Sequence, residues 1–253
     1  MSEVAAPGFG ETRVGERATL ESFFETLSSS LRERGGVPST SNEQLEGLGD
    51  SGLRGSLMQF TSNALRLPPS VHHRLAVALN RDQIPSKLWL IEQLANTVPL
   101  QGSHILVIGG WYGILPLLFQ CLYPSSDIRT QLIDLDQAAC DVAALLLEGV
   151  VEDCVIACKN ASEIDYEGIR RDACAIVVNT ICEHMSDFPD WFKLVRLGQR
   201  VVLQSNDHVG CSEHTNCVAS LEDFEAQAPL SETSIRGTLP LATFRRFMLI
   251  GRV

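Results

Sequence analysis

The chain has 253 residues, of which 45% are hydrophobic and 20% charged, enough for one α/β domain, an extension and a sizeable core. Lys and Arg number 20 against 31 Asp and Glu, a net charge of −11 without a basic run, which speaks against nucleic acid as a partner. No 18-residue apolar stretch and no signal peptide are read, so the sequence predicts a cytoplasmic protein with no membrane partner.

Residues 1–17 are rich in Gly, Pro and small side chains and read as unstructured at the start. From Thr19 to Arg34, Leu20, Phe23, Phe24, Leu27 and Leu31 recur at helical spacing, with Gly35-Gly36 as the stop. Val37 to Asp50 is polar and loop-like. A second helix is expected near Leu53 to Leu67, and a third, capped by Ser70, runs to about Asn80. These helices define an N-terminal extension or lid over residues 1–80, ahead of a catalytic domain over 81–253. The helix beginning near Arg81 carries Asp82, Gln83, Ser86 and Lys87, which read either as a solvated helix start or as lid side chains over a ligand.

The stretch His104 to Gly113 organises the rest. Ile105 to Ile108 is an apolar strand, Gly109-Gly110-Trp111-Tyr112-Gly113 breaks it, and Leu115, Leu118, Phe119 and Leu122 reopen as a helix. A strand that turns through glycines into a helix is a nucleotide-binding pattern, since the backbone can approach a ligand and the first helical N–H groups face it. No Lys-Ser/Thr follows the glycines, which excludes a P-loop, and the lack of a full G-x-G-x-x-G counts against a dinucleotide. The next strand, from Arg129, ends in Asp134 and Asp136, about 25 residues beyond Gly109, where a carboxylate can accept from both ribose hydroxyls.

Over roughly Pro85 to Val253 the sequence resembles class I S-adenosylmethionine-dependent methyltransferases. The resemblance rests on the glycine turn, on Asp134 and Asp136, on Asn160-Ala161 after a third strand, and on Val178-Asn179-Thr180 ending a fourth. It implies a Rossmann-like seven-stranded sheet with the last strand antiparallel, and S-adenosylmethionine as cofactor or substrate. In that frame Gly109, Gly110, Trp111 and Gly113 border the methionine half. Asp134 binds the ribose, Asn160 and Ala161 border the adenine, and Asn179 faces the methionine half, with Asp136 and Thr180 completing the cofactor-binding set. One departure stands out, because apolar Val107-Ile108 replaces the usual acidic residue before the turn.

The polar strand ends suggest where chemistry sits. After the fourth strand comes Asn179-Thr180-Ile181-Cys182-Glu183-His184-Met185, and after the fifth (about Arg200 to Leu203) comes Gln204-Ser205-Asn206-Asp207-His208. Glu183 beside His184 can act as base and orienter, or simply cap a surface helix. Asn179, Tyr112, Glu183, His184 and Asn206 are the catalytic candidates. Trp111 and Tyr112 could face a sulfonium or merely pack. The motifs Ile-Gly-Gly-Trp-Tyr-Gly, Asn-Thr-x-Cys-Glu-His-Met and Gln-Ser-Asn-Asp are similar to those of azetidine-2-carboxylate synthases. That likeness implies cyclisation of S-adenosylmethionine with release of methylthioadenosine. A conventional methyltransferase acting on a small molecule is the alternative. The eight cysteines form no C-x-x-C pair and read as buried small hydrophobes. Cys211, His214 and Cys217 offer a zinc-ligand alternative, but the buried-hydrophobe reading outweighs it and no metal is expected. The expected partner is a small-molecule substrate, with a homodimer left open. Gly237 to Leu241 and Thr243 to Gly251 read as a closing antiparallel hairpin, with Arg245-Arg246 solvated or at a pocket rim.

Overall fold

The computed structural model describes residues 11–33, 51–195 and 197–253. The expected Gly35-Gly36 stop and the loop from Val37 lie outside the described residues. In chain order the elements are α1 (Glu11–Arg32), α2 (Ser51–Arg66), α3 (Pro69–Ala78), α4 (Gln83–Thr97), β1 (His104–Ile108), α5 (Ile114–Leu122), β2 (Arg129–Asp134), α6 (Gln137–Leu147) and β3 (Cys154–Cys158). They continue with α7 (Tyr166–Arg171), β4 (Ala175–Asn179), α8 (Phe188–Leu194), β5 (Arg200–Asn206), α9 (Leu221–Gln227), β6 (Glu232–Pro240) and β7 (Arg245–Arg252). By their contacts they form two compact units. Of the described residues, one comprises 11–33, 51–99, 112–126 and 141–152, and the other 100–111, 127–140, 153–195 and 197–253.

In the first unit, the apolar side of α1 is fully buried at Leu20, Phe23, Phe24 and Leu27. Phe24 meets Phe60 of α2 edge-on at 6.1 Å. Polar ties fix the helices at specific points. Ser28 donates to the Ala76 carbonyl at 2.7 Å. The buried amide of Asn63 donates to the carbonyls of Leu146 and Glu148, at 3.1 and 2.9 Å. Carbonyls at a helix end have no partner within the helix, so Asn63 satisfies groups that α6 cannot. Three local expectations are corrected. Helix α1 already begins at Glu11, inside the stretch expected to be unstructured, and Arg17 bonds both Glu21 and Glu92, at 3.0 and 2.7 Å. Pro68, not Ser70, precedes α3, with Pro69 in its first turn, where a missing N–H costs nothing. Asp82 and Ser86 are buried rather than solvated.

The second unit holds a seven-stranded sheet in the order β3-β2-β1-β4-β5-β7-β6. Strands β1 to β5 pair in parallel, while β7 runs antiparallel to both β5 and β6. Parallel central strands are buried on both faces and need continuous apolar runs. Ile105 to Ile108, Ala175 to Val178 and Val201 to Leu203 supply them, all buried. Leu106, Ile108, Val177, Val201, Leu203, Phe247 and Leu249 share a core with Tyr166 and Trp191. Within it the Trp191 indole N–H donates to the Tyr166 hydroxyl at 2.7 Å. That hydroxyl donates in turn to the Ala161 carbonyl at 2.9 Å, which satisfies three polar groups in an apolar setting. The fifth strand continues to Asn206, and β6 begins at Glu232, earlier than the expected hairpin. Among the described residues no helix is long and apolar enough to cross a membrane.

Candidate functional site at the strand ends

The carboxyl ends of β1, β2, β4 and β5 gather most of the residues singled out from sequence, which is where ligands bind in open α/β sheets. Gly109 has φ 68° and Trp111 φ 45°, left-handed conformations that fold β1 back sharply. The reason for glycine here is steric. A Cβ on Gly109 would lie 2.3 Å from the Ile181 side chain, and one on Gly110 2.2 Å from Leu132. The space in which the sequence expected a ligand's approach is, on those sides, filled by the chain itself. Gly113, with φ 74°, precedes α5, where a Cβ would meet Leu147 at 2.7 Å. Tyr112 is buried.

Asp134 ends β2, and both of its oxygens face backbone N–H groups. Oδ2 accepts from Trp111 at 2.8 Å and Oδ1 from Asp136 at 3.0 Å. The carboxylate thus pins the glycine turn to the tip of β2. Each oxygen keeps a second lone pair, so two further donors can be accepted. Next to it Leu135 is 69% exposed, an apolar surface beside an anion, as a nucleoside requires. Asp136 caps the following helix, accepting from Ala138 N–H at 2.9 Å. Asn160 likewise accepts from Ser162 N–H at 2.9 Å and opens a short 3₁₀ turn in which Ala161 is buried.

At β4 the side chain of Asn179 is fully buried. Its carbonyl accepts from Ile181 N–H at 3.0 Å and its amide donates to the Met185 sulfur at 3.2 Å. Asn179 therefore shapes the loop that carries Thr180 and Ile181. A short 3₁₀ turn, Cys182–His184, follows, and its Glu183 is 2% exposed. Glu183 Oε1 accepts from Asn206 Nδ2 at 2.5 Å and from Arg246 Nη1 at 2.6 Å. Asn206 and Arg246 are cross-strand partners of β5 and β7, so both project to one face and converge on one acid. This corrects the solvated or rim placement expected of Arg246, which is 3% exposed with its guanidinium 5.1 Å over Phe244. The signal was present in the sequence. Adjacent residues on a strand point to opposite faces, so one arginine of the Arg245-Arg246 pair had to point inward. Arg245 is the outer one, bonded to Asp207 Oδ2 at 2.7 Å.

Asn206 is engaged at both side-chain polar atoms, since its carbonyl also accepts from His208 N–H at 2.9 Å. Beyond it the histidines cluster. His214 lies edge-on to His184 at 4.5 Å and to His208 at 5.5 Å, and His208 stacks on Phe244 at 5.4 Å. Burial pulls His214 below the ordinary imidazole pKa, with the charges of His184 and His208 adding to it against the His208 carbonyl and Glu183. Burial raises Cys217, helped by the charge of Glu183, and raises Cys182 well above the ordinary thiol value, so neither is a ready thiolate. A separate cavity of about 530 Å³, lined by Glu167, Arg170, Phe192 and Val253 among others, lies toward the opposite strand ends.

No protein-family model and no curated protein matches the sequence. Solved structures do resemble it. A Bordetella parapertussis protein described as a possible exported protein has a TM-score of 0.50 at 12% identity, with 93% of this chain and 96% of that one covered. A SAM-dependent methyltransferase from Aquifex aeolicus has a TM-score of 0.48 at 11% identity, covering 66% of this chain and 93% of that one. MtNAS in complex with MTA and tNA has a TM-score of 0.48 at 12% identity, covering 92% and 86%. At such identities the likeness concerns fold alone. The strand order, with its antiparallel β7, gives the chain the class I S-adenosylmethionine-dependent methyltransferase fold.

Proposed function

We propose that the chain is an S-adenosylmethionine-utilising enzyme, and specifically that it cyclises S-adenosylmethionine to azetidine-2-carboxylic acid. The observation that carries the nucleoside half of this reading is Asp134. It is a carboxylate fixed by two backbone N–H groups at the tip of β2, with acceptor capacity to spare, beside exposed Leu135. Ribose hydroxyls would donate to it, and the adenine would lie toward Leu135 and the Asn160-Ala161 turn.

The cyclisation half rests on charge. In that reaction the α-amine lone pair of S-adenosylmethionine forms a bond to its own γ-carbon. The γ-carbon–sulfur bond breaks with its electrons going to sulfur, methylthioadenosine leaves, and the new ring nitrogen sheds a proton. Only the neutral amine can attack, and a nearby carboxylate favours the protonated amine. From His104 to Trp111 there is no acidic residue. The acid of the β4 loop, Glu183, is already paired with Arg246 and Asn206. Asn179, which pairs in register with Ile108, would present a neutral loop to the reacting arm and so act as a positioning residue. Trp111 and Thr180 would complete the surround, with Glu183, His184 and Asn206 behind them.

Methyl transfer to a small acceptor is the second reading, favoured by the fold itself. The two are separated by incubating the purified protein with S-adenosylmethionine alone and analysing products by mass spectrometry. Cyclisation yields methylthioadenosine and the four-membered amino acid in equal amounts. No turnover until an acceptor is added, and adenosylhomocysteine thereafter, would overturn it in favour of methyl transfer.

A further inference from the structure

The 3₁₀ turn after β4 and the segment after β5 bring two imidazoles to one carboxylate. One ring nitrogen each of His184 and His214 and one carboxylate oxygen of Glu183 all lie within 4.8 Å of one another. We propose that these three side chains bind a single divalent transition-metal ion of the zinc class.

The tautomers support this. His184 Nδ1 lies 3.2 Å from the Glu213 carbonyl and His214 Nδ1 lies 2.9 Å from the His208 carbonyl. A carbonyl oxygen can only accept, so each Nδ1 carries the proton and each Nε2 presents a bare lone pair. Histidines that ligate metals are held in this way, with one nitrogen donating to a carbonyl and the other turned to the ion. Edge-to-face rings alone would not require both imidazoles to share that tautomer.

The carboxylate is the second and independent sign. Glu183 Oε1 takes both Asn206 and Arg246, while Oε2 is buried with no hydrogen-bond partner. A buried carboxylate oxygen without a donor costs free energy, and a cation would satisfy it. Asn206 and Arg246 then serve as the outer support that orients a ligating acid. Two imidazoles and one carboxylate match the donor set of zinc sites that keep a coordination position open. With metal–ligand bonds of about 2.0–2.2 Å, tetrahedral donors stand roughly 3.4 Å apart, so the two loops would draw in by about 1 Å on binding. The alternative set of Cys211, His214 and Cys217 does not assemble. Cys217 lies 3.7 Å from His214 Nδ1, the nitrogen already committed to a carbonyl, and among the described residues only the Glu183 set meets.

The test uses the full chain, stripped with chelator and titrated with Zn²⁺ by calorimetry and with Co²⁺ by visible absorption, in the absence of S-adenosylmethionine. One ion per chain is expected, with the intense Co²⁺ band of a low-coordinate site. His184→Gln and His214→Gln should each weaken binding roughly 100-fold or more, at least the scale of losing an outer-shell partner. His208→Gln, which keeps its backbone carbonyl, should bind as the parent does. Circular dichroism confirms that each variant is folded. Absence of stoichiometric binding in the parent chain, or binding that survives both His184→Gln and His214→Gln, would overturn the site. Because no nucleoside is present, either result leaves the S-adenosylmethionine reading to its own test.

Discussion

The tip of β2 and the joined ends of β4 and β5 both carry carboxylates, yet the two are built in opposite ways. Asp134 is held only by backbone N–H groups and keeps lone pairs for a ligand. Glu183 is buried among side chains that its own fold supplies, and its charge is answered by Arg246. The first arrangement leaves acceptor capacity on both oxygens, whereas the second commits Oε1 to Asn206 and Arg246, which fixes a loop, and leaves only Oε2 without a donor. Acids in a candidate site therefore cannot be ranked by residue type or position alone. What separates them is the acceptor capacity that remains after the protein has used its share.

The sharpest way to break this contrast is Glu183→Ala. It would strand a buried guanidinium, which costs about 3–5 kcal/mol, seen as a lower midpoint in chemical denaturation. Replacing both partners, Glu183→Leu with Arg246→Met, should recover most of that loss. If the single variant is as stable as the parent, the pair is not the structural element described.

Asn179→Ala removes both ties within the β4 loop. Turnover should fall roughly 100-fold, the scale on which a misplaced reacting group is penalised, while affinity for S-adenosylmethionine changes much less. Equal losses in rate and affinity would mean that Asn179 contacts the ligand directly. At β2, Asp134→Ala should weaken S-adenosylmethionine binding by about 1.5–3 kcal/mol, the range for hydrogen bonds to a charged group, as read by calorimetry.

The smallest effect belongs to Arg245→Ala. Burial raises the Asp207 carboxyl, but the Arg245 backbone N–H, guanidinium and charge outweigh it and leave the group below the usual range. A depressed carboxylate pKa stabilises the fold above its unfolded value, and that contribution is lost as pH falls through the folded value. The variant should therefore lose under about 1 kcal/mol near neutral pH, as for partly exposed pairs, and match the parent in acid. A loss that grows toward low pH would contradict the assignment.

Much of the sheet was legible because its central strands are buried on both faces and leave continuous apolar runs such as Ile105 to Ile108. Asp134 was legible for a local reason, a carboxylate at the end of such a run. The Glu183–Arg246 pair was not, since its members are 63 positions apart and meet only through the register of β5 with β7. Gly109 and Gly110 were legible as a turn but not in their cause. Their partners, Ile181 and Leu132, are ordinary apolar residues until the sheet order brings them over the glycines. Asn63 was missed in the same way, because nothing near it in sequence announces the carbonyls of Leu146 and Glu148.

The central claim is that Asp134 grips the ribose of S-adenosylmethionine. Its most direct test is a calorimetric cycle that pairs S-adenosylmethionine and its 2′-deoxyribose analogue with the parent chain and Asp134→Asn. In the parent, loss of the hydroxyl should weaken binding about 10-fold or more, the scale of one charge-assisted hydrogen bond. In Asp134→Asn the two ligands should bind nearly alike, because the charge that made the hydroxyl valuable is gone. A deoxyribose penalty of the same size in both proteins would contradict the account.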